Sequence, residues 1–211
     1  MSSSQEQKSA VGGGNGRNGR AAYDLDAVLD ISVAAFNEHG YDATSMGQLA
    51  ARLGTSKSAV YYHVNGKEDL LRLALERALG PLEAVLDLPG ALEGSAEDRL
   101  RFVLKQAVHV LVDYLPYVTL LLRLRGNTEV ERGALERRRS FDTQVAVLVD
   151  QARAEGSLRQ DVDSRTIERL LFGMINSIVE WYRPGGSLTR DQLASDVIAV
   201  AFDGLHARGE P

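Results

Sequence analysis

From Asp24 onward apolar residues return every three or four positions, which is the period of an α-helix rather than a strand. Val28, Ile31, Ser32, Ala35 and Phe36 share one face of a first helix, and Gly40 is placed to end it. Met46, Leu49, Ala50 and Leu53 repeat the pattern once more, and Ser45 with Gln48 three residues later forms a capping box. Gly54 breaks this helix, and Ser56 caps a third that runs through about Val64. A fourth starts near Lys67 and carries Leu70, Leu71, Ala74, Leu75 and Leu79. Gly80-Pro81 is expected to kink or end it.

The remainder predicts longer helices. Leu100, Val103, Leu104, Ala107, Val108, Leu111 and Tyr114 share a face, with Ser95 as cap and Pro116 as stop. Leu120 to Leu124 is a short apolar piece. Thr128 to about Glu155 follows, with Leu135, Phe141, Val145, Leu148 and Ala152 inward and Gly156 closing. Asp163 to Tyr182 ends at Arg183-Pro184-Gly185-Gly186, and a Thr189/Gln192 capping box opens a last helix to about His206. No alternating pattern of useful length competes, so the fold class is all-α. The expected organisation is a tail over 1–22, a compact helical unit over 23–79 and a larger helical unit over 80–211.

Composition narrows the chemistry. The tail is a Ser, Gln, Gly and Asn mixture with too little apolar surface to order itself, unless Arg17 and Arg20 serve as a flexible arm toward phosphates or a minor groove. The chain has 211 residues and no cysteine, which removes disulfides, thiolate metal sites and cysteine nucleophiles together. Its N-terminus lacks a signal peptide's apolar core, and no apolar run approaches the ~18 residues a bilayer span needs. A cytoplasmic protein without a membrane partner is expected. His39, His63, His109 and His206 show no metal spacing, no Gly-rich phosphate loop is present, and no nucleophile–base pair is readable. Neither a metal, a cofactor nor an enzyme activity is expected, a helical small-molecule enzyme being the alternative from another class.

Net charge is -5, which at first argues against a nucleic-acid partner. Phosphates respond to the local field, however, and from Ala43 to Lys67 the charged residues are Arg52, Lys57 and Lys67, with no Asp or Glu. The same window holds three short helices in a row, the second and third joined by Leu53-Gly54-Thr55-Ser56. That is helix-turn-helix spacing. In the third helix Val60 and Val64 can pack inward, whereas Lys57, Ser58, Tyr61, Tyr62 and His63 are more polar than burial requires. Such a helix can present itself to a groove.

Thr44-Ser45, Leu49-Ala50, Leu53-Gly54-Thr55-Ser56, Val60-Tyr61-Tyr62-His63-Val64 and Lys67-Glu68-Asp69-Leu70-Leu71 fall in the order and spacing of the TetR family of repressors, which residues 24 to about 79 strongly resemble. Phe36-Asn37-Glu38-His39-Gly40-Tyr41 fits the end of that family's first helix. The resemblance implies that 23–79 binds DNA and that 80–211 binds an effector and dimerises. It implies that Lys57 and Ser58 face bases or flanking phosphates, that Tyr61 approaches base edges or thymine methyls, and that Tyr62 and His63 bond phosphates. Thr44, Ser45, Ser56 and Lys67, at helix N-termini, would hold the DNA backbone. Gly47 departs from relatives that carry a base-reading side chain there, which moves specificity onto the third helix.

Two stripes point to a homodimer on a palindromic operator. Ile167, Leu170, Leu171, Met174, Ile175, Ile178 and Tyr182 make one, beside Gly173. Leu193, Val197, Ile198, Ala201, Phe202 and Leu205 make the other. The family pairs its last two long helices; the alternative is that both stripes are intramolecular core, and a mixed assignment with dimerisation is expected because two-fold operators require it. For an effector pocket, His109, Tyr114, Tyr117, Leu121, Phe141, Met174, Asn176 and Trp181 are the candidates, with Arg123 and Arg125 for anionic groups. Arg132, Arg137, Arg138 and Arg139 either do the same or form a solvated face paired with Glu129, Glu131 and Glu136. Leu122-Arg123-Leu124-Arg125-Gly126-Asn127-Thr128 and Glu180-Trp181-Tyr182-Arg183-Pro184-Gly185-Gly186 resemble the subgroup that answers to acyl-CoA thioesters of aromatic-acid, fatty-acid or sterol-fragment catabolism, phenylacetyl-CoA among them. The expectation is a repressor released by such a small-molecule effector. An activator or ligand-independent regulator with the same DNA-binding unit is the alternative.

Overall fold

The computed structural model describes residues 24–203. Among them there is no strand. Helix α1, Leu25–His39, starts at Asp24, whose carboxylate accepts from Ala27 N at 2.8 Å, and ends at Gly40 with φ 89°. Helix α2, Met46–Arg52, carries the full capping box: Gln48 N donates to Ser45 Oγ, and Ser45 N donates to Gln48 Oε1. Gly54 at φ 64° supplies the left-handed turn. Ser56 then caps α3, Lys57–Tyr61, which stops three residues short of the expected Val64.

Helix α4, Lys67–Ala84, passes through Gly80-Pro81 without ending. Pro81 lies in its last turn, and Ala78, Leu79 and Val85 around it are buried, so core contact holds the backbone helical where the local signal reads as a stop. The expected boundary at 79/80 therefore falls within one helix shared by both units. A 3-10 turn at Val85–Asp87 and the short α5, Pro89–Leu92, had no clear periodic signal. Helix α6 spans Ala96–Asp113 behind its Ser95 cap. Pro116 both stops it and sits in the first turn of α7, Leu115–Leu122, where a missing N–H costs nothing.

Helix α8, Glu129–Ala154, is capped by Thr128 and followed by Gly156 at φ 81°. Helix α9, Ser164–Trp181, is capped by Asp163. Thr189 caps α10, Arg190–Ile198, but the Gln192 amide turns to Asp196 at 2.8 Å, so the reciprocal half of the expected box does not form. A wider π-turn follows over Ala199–Asp203, and the expected continuation to His206 lies outside the described residues. So do the tail, with Arg17 and Arg20, and Leu205.

One continuous buried cluster joins the two units. It runs from Val28, Leu29, Leu49 and Leu53 through Leu70, Leu71 and Leu79 to Leu100, Leu104, Phe141, Ile175 and Ile178. Helix α7 packs on both α1 and α4, α8 on α4, α6 and α9, and α10 along α6. Because α7 touches α1 directly, displacement in the larger unit has a solid path to the helix-turn-helix.

Candidate nucleic-acid interface and effector cleft

The polar face of α3 is open. Tyr61 is 50% and Tyr62 86% exposed, Lys57 and Ser58 are exposed, and Val60 alone in this helix is buried. Tyr62 stacks edge-on against His63 at 5.3 Å, which stiffens the pair. The Ser45 and Ser56 hydroxyls cap α2 and α3, and Ser56 Oγ also lies 2.9 Å from Ser58 Oγ. Lys57 lies across α2: a Cβ on Gly47 would fall 2.8 Å from Lys57 Cε. The glycine gives up a side chain of its own and leaves space for that lysine.

Two residues assigned to the DNA backbone are placed otherwise. Thr44 is buried, its hydroxyl donating to Gly40 O at 2.8 Å. The Lys67 ammonium donates to Tyr41 O at 2.8 Å and Asp42 O at 3.3 Å and lies over the Tyr41 ring. Both close the α1–α2 connection, whose carbonyls have no helical partner and draw these donors inward. Arg52 pairs with Glu38 at 2.7 Å. Of the three cations that made the window basic, Lys57 alone has no hydrogen bond or ion pair among the described residues.

A cleft of about 470 Å³ opens between α8 and α9. Arg138, Arg139 and Asp142 line it from α8, and Arg165, Glu168, Arg169, Phe172 and Asn176 from α9. None of the four guanidinium groups has an ion pair or hydrogen bond among the described residues. Arg138, Asp142, Phe172 and Asn176 also border a narrow apolar void of about 30 Å³, walled by Leu82, Leu111, Leu121 and Leu122. Phe141 backs the cleft, edge-on to Phe172 at 5.7 Å. Burial and the nearby Asp142 carboxylate push Glu168 up to about 7, and burial raises Asp142 as well.

Of the expected pocket residues, Asn176 and Leu121 line these spaces, Phe141 packs behind them on Phe172, and the others lie elsewhere. His109 faces Asp191, with Nε2 3.1 Å from its carboxylate. Tyr114 closes α6, Met174 is half-buried on another side of α9, and Trp181 is 51% exposed at the end of that helix. Tyr117 is buried at the junction of the units, where it donates to Asp30 and receives Arg77 at 3.4 Å. Arg123 and Arg125 line a separate cleft of about 350 Å³ beside Asn37 and Tyr41, with Arg123 donating to Asn37 O at 2.9 Å. Periodicity shows that these side chains face inward but not which helix they meet.

The arginine run is divided differently from either expectation. Arg137 forks onto Glu83 at 2.6 Å and Glu76 at 2.7 Å on α4, whereas Arg138 and Arg139 turn to the cleft. Glu131 accepts three backbone N–H groups, from Arg125, Gly126 and Asn127, instead of pairing with an arginine. Arg165, Glu168 and Arg169 were not singled out from the sequence. Their signal was an Arg-x-x-Glu-Arg run at helical spacing, which a solvated helix face shares.

The dimer stripe also divides. Ile178, Tyr182 and Val197 are buried within the protomer, against expectation, because α6, α7 and α8 pack on that side. Leu171, Met174, Ala201 and Phe202 are half-buried. Leu170 at 67% and Trp181 at 51% remain exposed, with Ser177 between them on the same face of α9.

A helix-turn-helix with an open polar recognition helix, joined through α4 and a continuous core to a helical unit holding a cleft, defines a DNA-binding regulator. Residues 28–74 match the model of bacterial regulatory proteins of the tetR family, and 93–205 match the tetracyclin repressor-like C-terminal domain. This chain belongs to the TetR family. Its members are transcription regulators, and that membership places it outside the enzymes. The structure of SCO3833, a TetR family member from Streptomyces coelicolor A3, is 51% identical with TM-score 0.82 over 85% of this chain and 91% of that one. The transcriptional repressor KstR2 of Rhodococcus jostii is 26% identical, covering 90% of this chain and 93% of its own. AibR, solved with isovaleryl coenzyme A and operator DNA, shares the fold at 24% identity and TM-score 0.68, over 84% of this chain and 97% of that one.

Proposed function

We propose that this protein is a homodimeric TetR-type repressor of transcription that leaves a palindromic operator when an acyl thioester of coenzyme A enters the α8–α9 cleft. The observation that carries the ligand class is the join of four unpaired arginines to an apolar void. Guanidinium groups without carboxylate partners are suited to phosphates, which they bind in bidentate fashion, and the apolar wall of Leu82, Leu111, Leu121 and Leu122 beside them is the surface an acyl group would open and pack against. AibR, bound to isovaleryl coenzyme A and operator DNA, is a precedent on the same fold, and the KstR2 relative supports repression rather than activation.

Tyr61, Tyr62, Lys57, Ser58 and His63 enter the major groove side of this reading, with Ser45 and Ser56 at the helix ends. The exposed Leu170–Ser177–Trp181 face of α9, with half-buried Leu171 and Met174 beside it, meets its copy about a two-fold axis. Such a regulator works in the cytoplasm, where its operator is.

The test is titration of a labelled palindromic site from upstream of its own gene with a panel of acyl thioesters and the matching free acids. Release by thioesters at concentrations where the acids leave the complex intact supports the reading. Equal release by the acids overturns it.

A further inference from the structure

Gly47 stands in α2, where alanine is the better helix former, and its own backbone does not call for glycine. Its φ lies outside the left-handed region that Gly40 and Gly54 occupy. Nor does the core crowd it. Around the point a Cβ would take, the nearest atoms beyond its chain neighbours are Lys57 Cε at 2.8 Å, Lys57 Nζ at 3.3 Å and Ser45 Oγ at 3.8 Å. The space that glycine leaves is therefore taken by the end of one side chain. That side chain is Lys57, exposed and without a hydrogen bond or ion pair among the described residues.

Lys57 is the first residue of α3. In helix-turn-helix docking the first residues of the second helix reach base edges, while the helix before it crosses the sugar-phosphate backbone. The Lys57 stem departs from that pattern: it folds back across α2 and carries its ammonium to Gly47, on the side of the Ser45 hydroxyl. We propose that Gly47 is a positioning residue, which draws Lys57 off the base-facing side of α3 and onto a backbone phosphate. Lys57 then supplies affinity and salt dependence, and sequence is read by the exposed Ser58 and Tyr61. This rests on α3 being the recognition helix and settles which of its polar residues discriminates. An ammonium is a point charge that a phosphate accepts whatever base it carries. Alanine at position 47 would set its methyl on the lysine stem, whose flexible end swings aside and leaves the phosphate unmet while the fold is kept.

The experiment measures binding of the full chain to two labelled duplexes of equal length, the palindromic site from upstream of its own gene and a scrambled version, from about 50 to 200 mM salt. Wild type, Gly47→Ala, Lys57→Ala and the double variant are compared, with thermal melts beside them. Each single variant should weaken both duplexes alike, by about threefold, the scale of one exposed charge contact. Each should lower the salt slope by about 1 and leave the ratio between the duplexes within about twofold of wild type. Gly47→Ala should melt no lower than wild type, since alanine favours the helix. The double variant should match Lys57→Ala alone, because both changes remove one contact. If Lys57→Ala chiefly narrows the ratio between the duplexes, the lysine reads bases and the proposal is overturned. If Lys57→Ala lowers the slope but Gly47→Ala does not, the lysine contact stands and the role of Gly47 falls. An equal loss from Gly47→Ala in the Lys57→Ala background also overturns it, since the methyl then meets the DNA itself. If Lys57→Ala changes neither slope nor affinity, the docking of α3 through this residue fails, and the proposal with it.

Discussion

Tyr117, in the first turns of α7, donates its hydroxyl to Asp30 on α1 across 87 residues of sequence. The contact fastens the larger helical unit to the helix that backs the helix-turn-helix, and Arg77 on α4 reaches the same phenol and Asp26. Burial and the hydrogen bond to Asp30 push the phenol up to about 12, so the contact persists as a neutral donor at any physiological pH. Tyr117→Phe should lower stability by about 1–2 kcal/mol, since Asp30 loses a donor. In a double-mutant cycle with Asp30→Asn, read by thermal melting, the combined loss should be smaller than the sum.

Arg137 should carry the ligand signal. It forks onto Glu76 and Glu83 of α4 while its neighbours Arg138 and Arg139 line the cleft. A ligand that moves α8 therefore pulls α4, whose Lys67 is bonded to the carbonyls before α2. Arg137→Gln should hold operator within about threefold of wild type, yet need about tenfold more thioester for release, a loss of coupling on the usual scale. Operator titrations with and without thioester check this. Unchanged release would assign the fork to stability alone.

Lys57 and Lys67 should separate cleanly. Lys57 is exposed and unpaired, so Lys57→Ala should weaken binding to all DNA sequences and reduce the salt slope by about 1. Lys67 is spent on Tyr41 and Asp42, so Lys67→Ala should lower the melting temperature through a loss of about 1–3 kcal/mol and leave the salt slope intact. Binding measured from 50 to 200 mM salt, beside thermal melts, distinguishes the two roles.

Glu168 gives the protein a pH signature. Its folded value, about 7, lies above the ordinary carboxyl value, so the folded state holds more protons than the unfolded one between them. Its contribution is most favourable below the ordinary value and is lost as pH rises through about 7. Asp142 is raised too and acts in the same sense. Glu168→Gln should flatten this part of the profile and add on the order of 1 kcal/mol at pH 8, a figure kept small because the cleft is open to water. Melts from pH 5 to 8 would show it, and a wild-type profile rising with pH over that span would contradict the assignment.

Much of the fold was legible because its signals are local. Asp163, Ser95, Thr128 and the Ser45/Gln48 pair satisfy N–H groups within one turn, and Gly40, Gly54 and Gly156 occupy left-handed backbone that other residues avoid. The open face of α3 was legible for the same reason, since its polar side chains outnumber what burial could satisfy. Gly80-Pro81 misled because a stop signal weighs only a few kcal/mol, which buried contacts at Ala78, Leu79 and Val85 outweigh.

The sequence by itself determined the helices, their ends and the recognition surface, because those depend on spacing within a turn or two. Only the tertiary structure decided which charges are spent and which are free. Lys67 reaches Tyr41 across 26 residues, and Arg137 reaches Glu83 across 54, leaving Arg138 and Arg139 to the cleft. Periodicity reports that one side of a helix is apolar and the other polar. Which distant helix covers each side, and hence whether Ile178 is core or Glu168 faces a cleft, follows from packing of the whole chain.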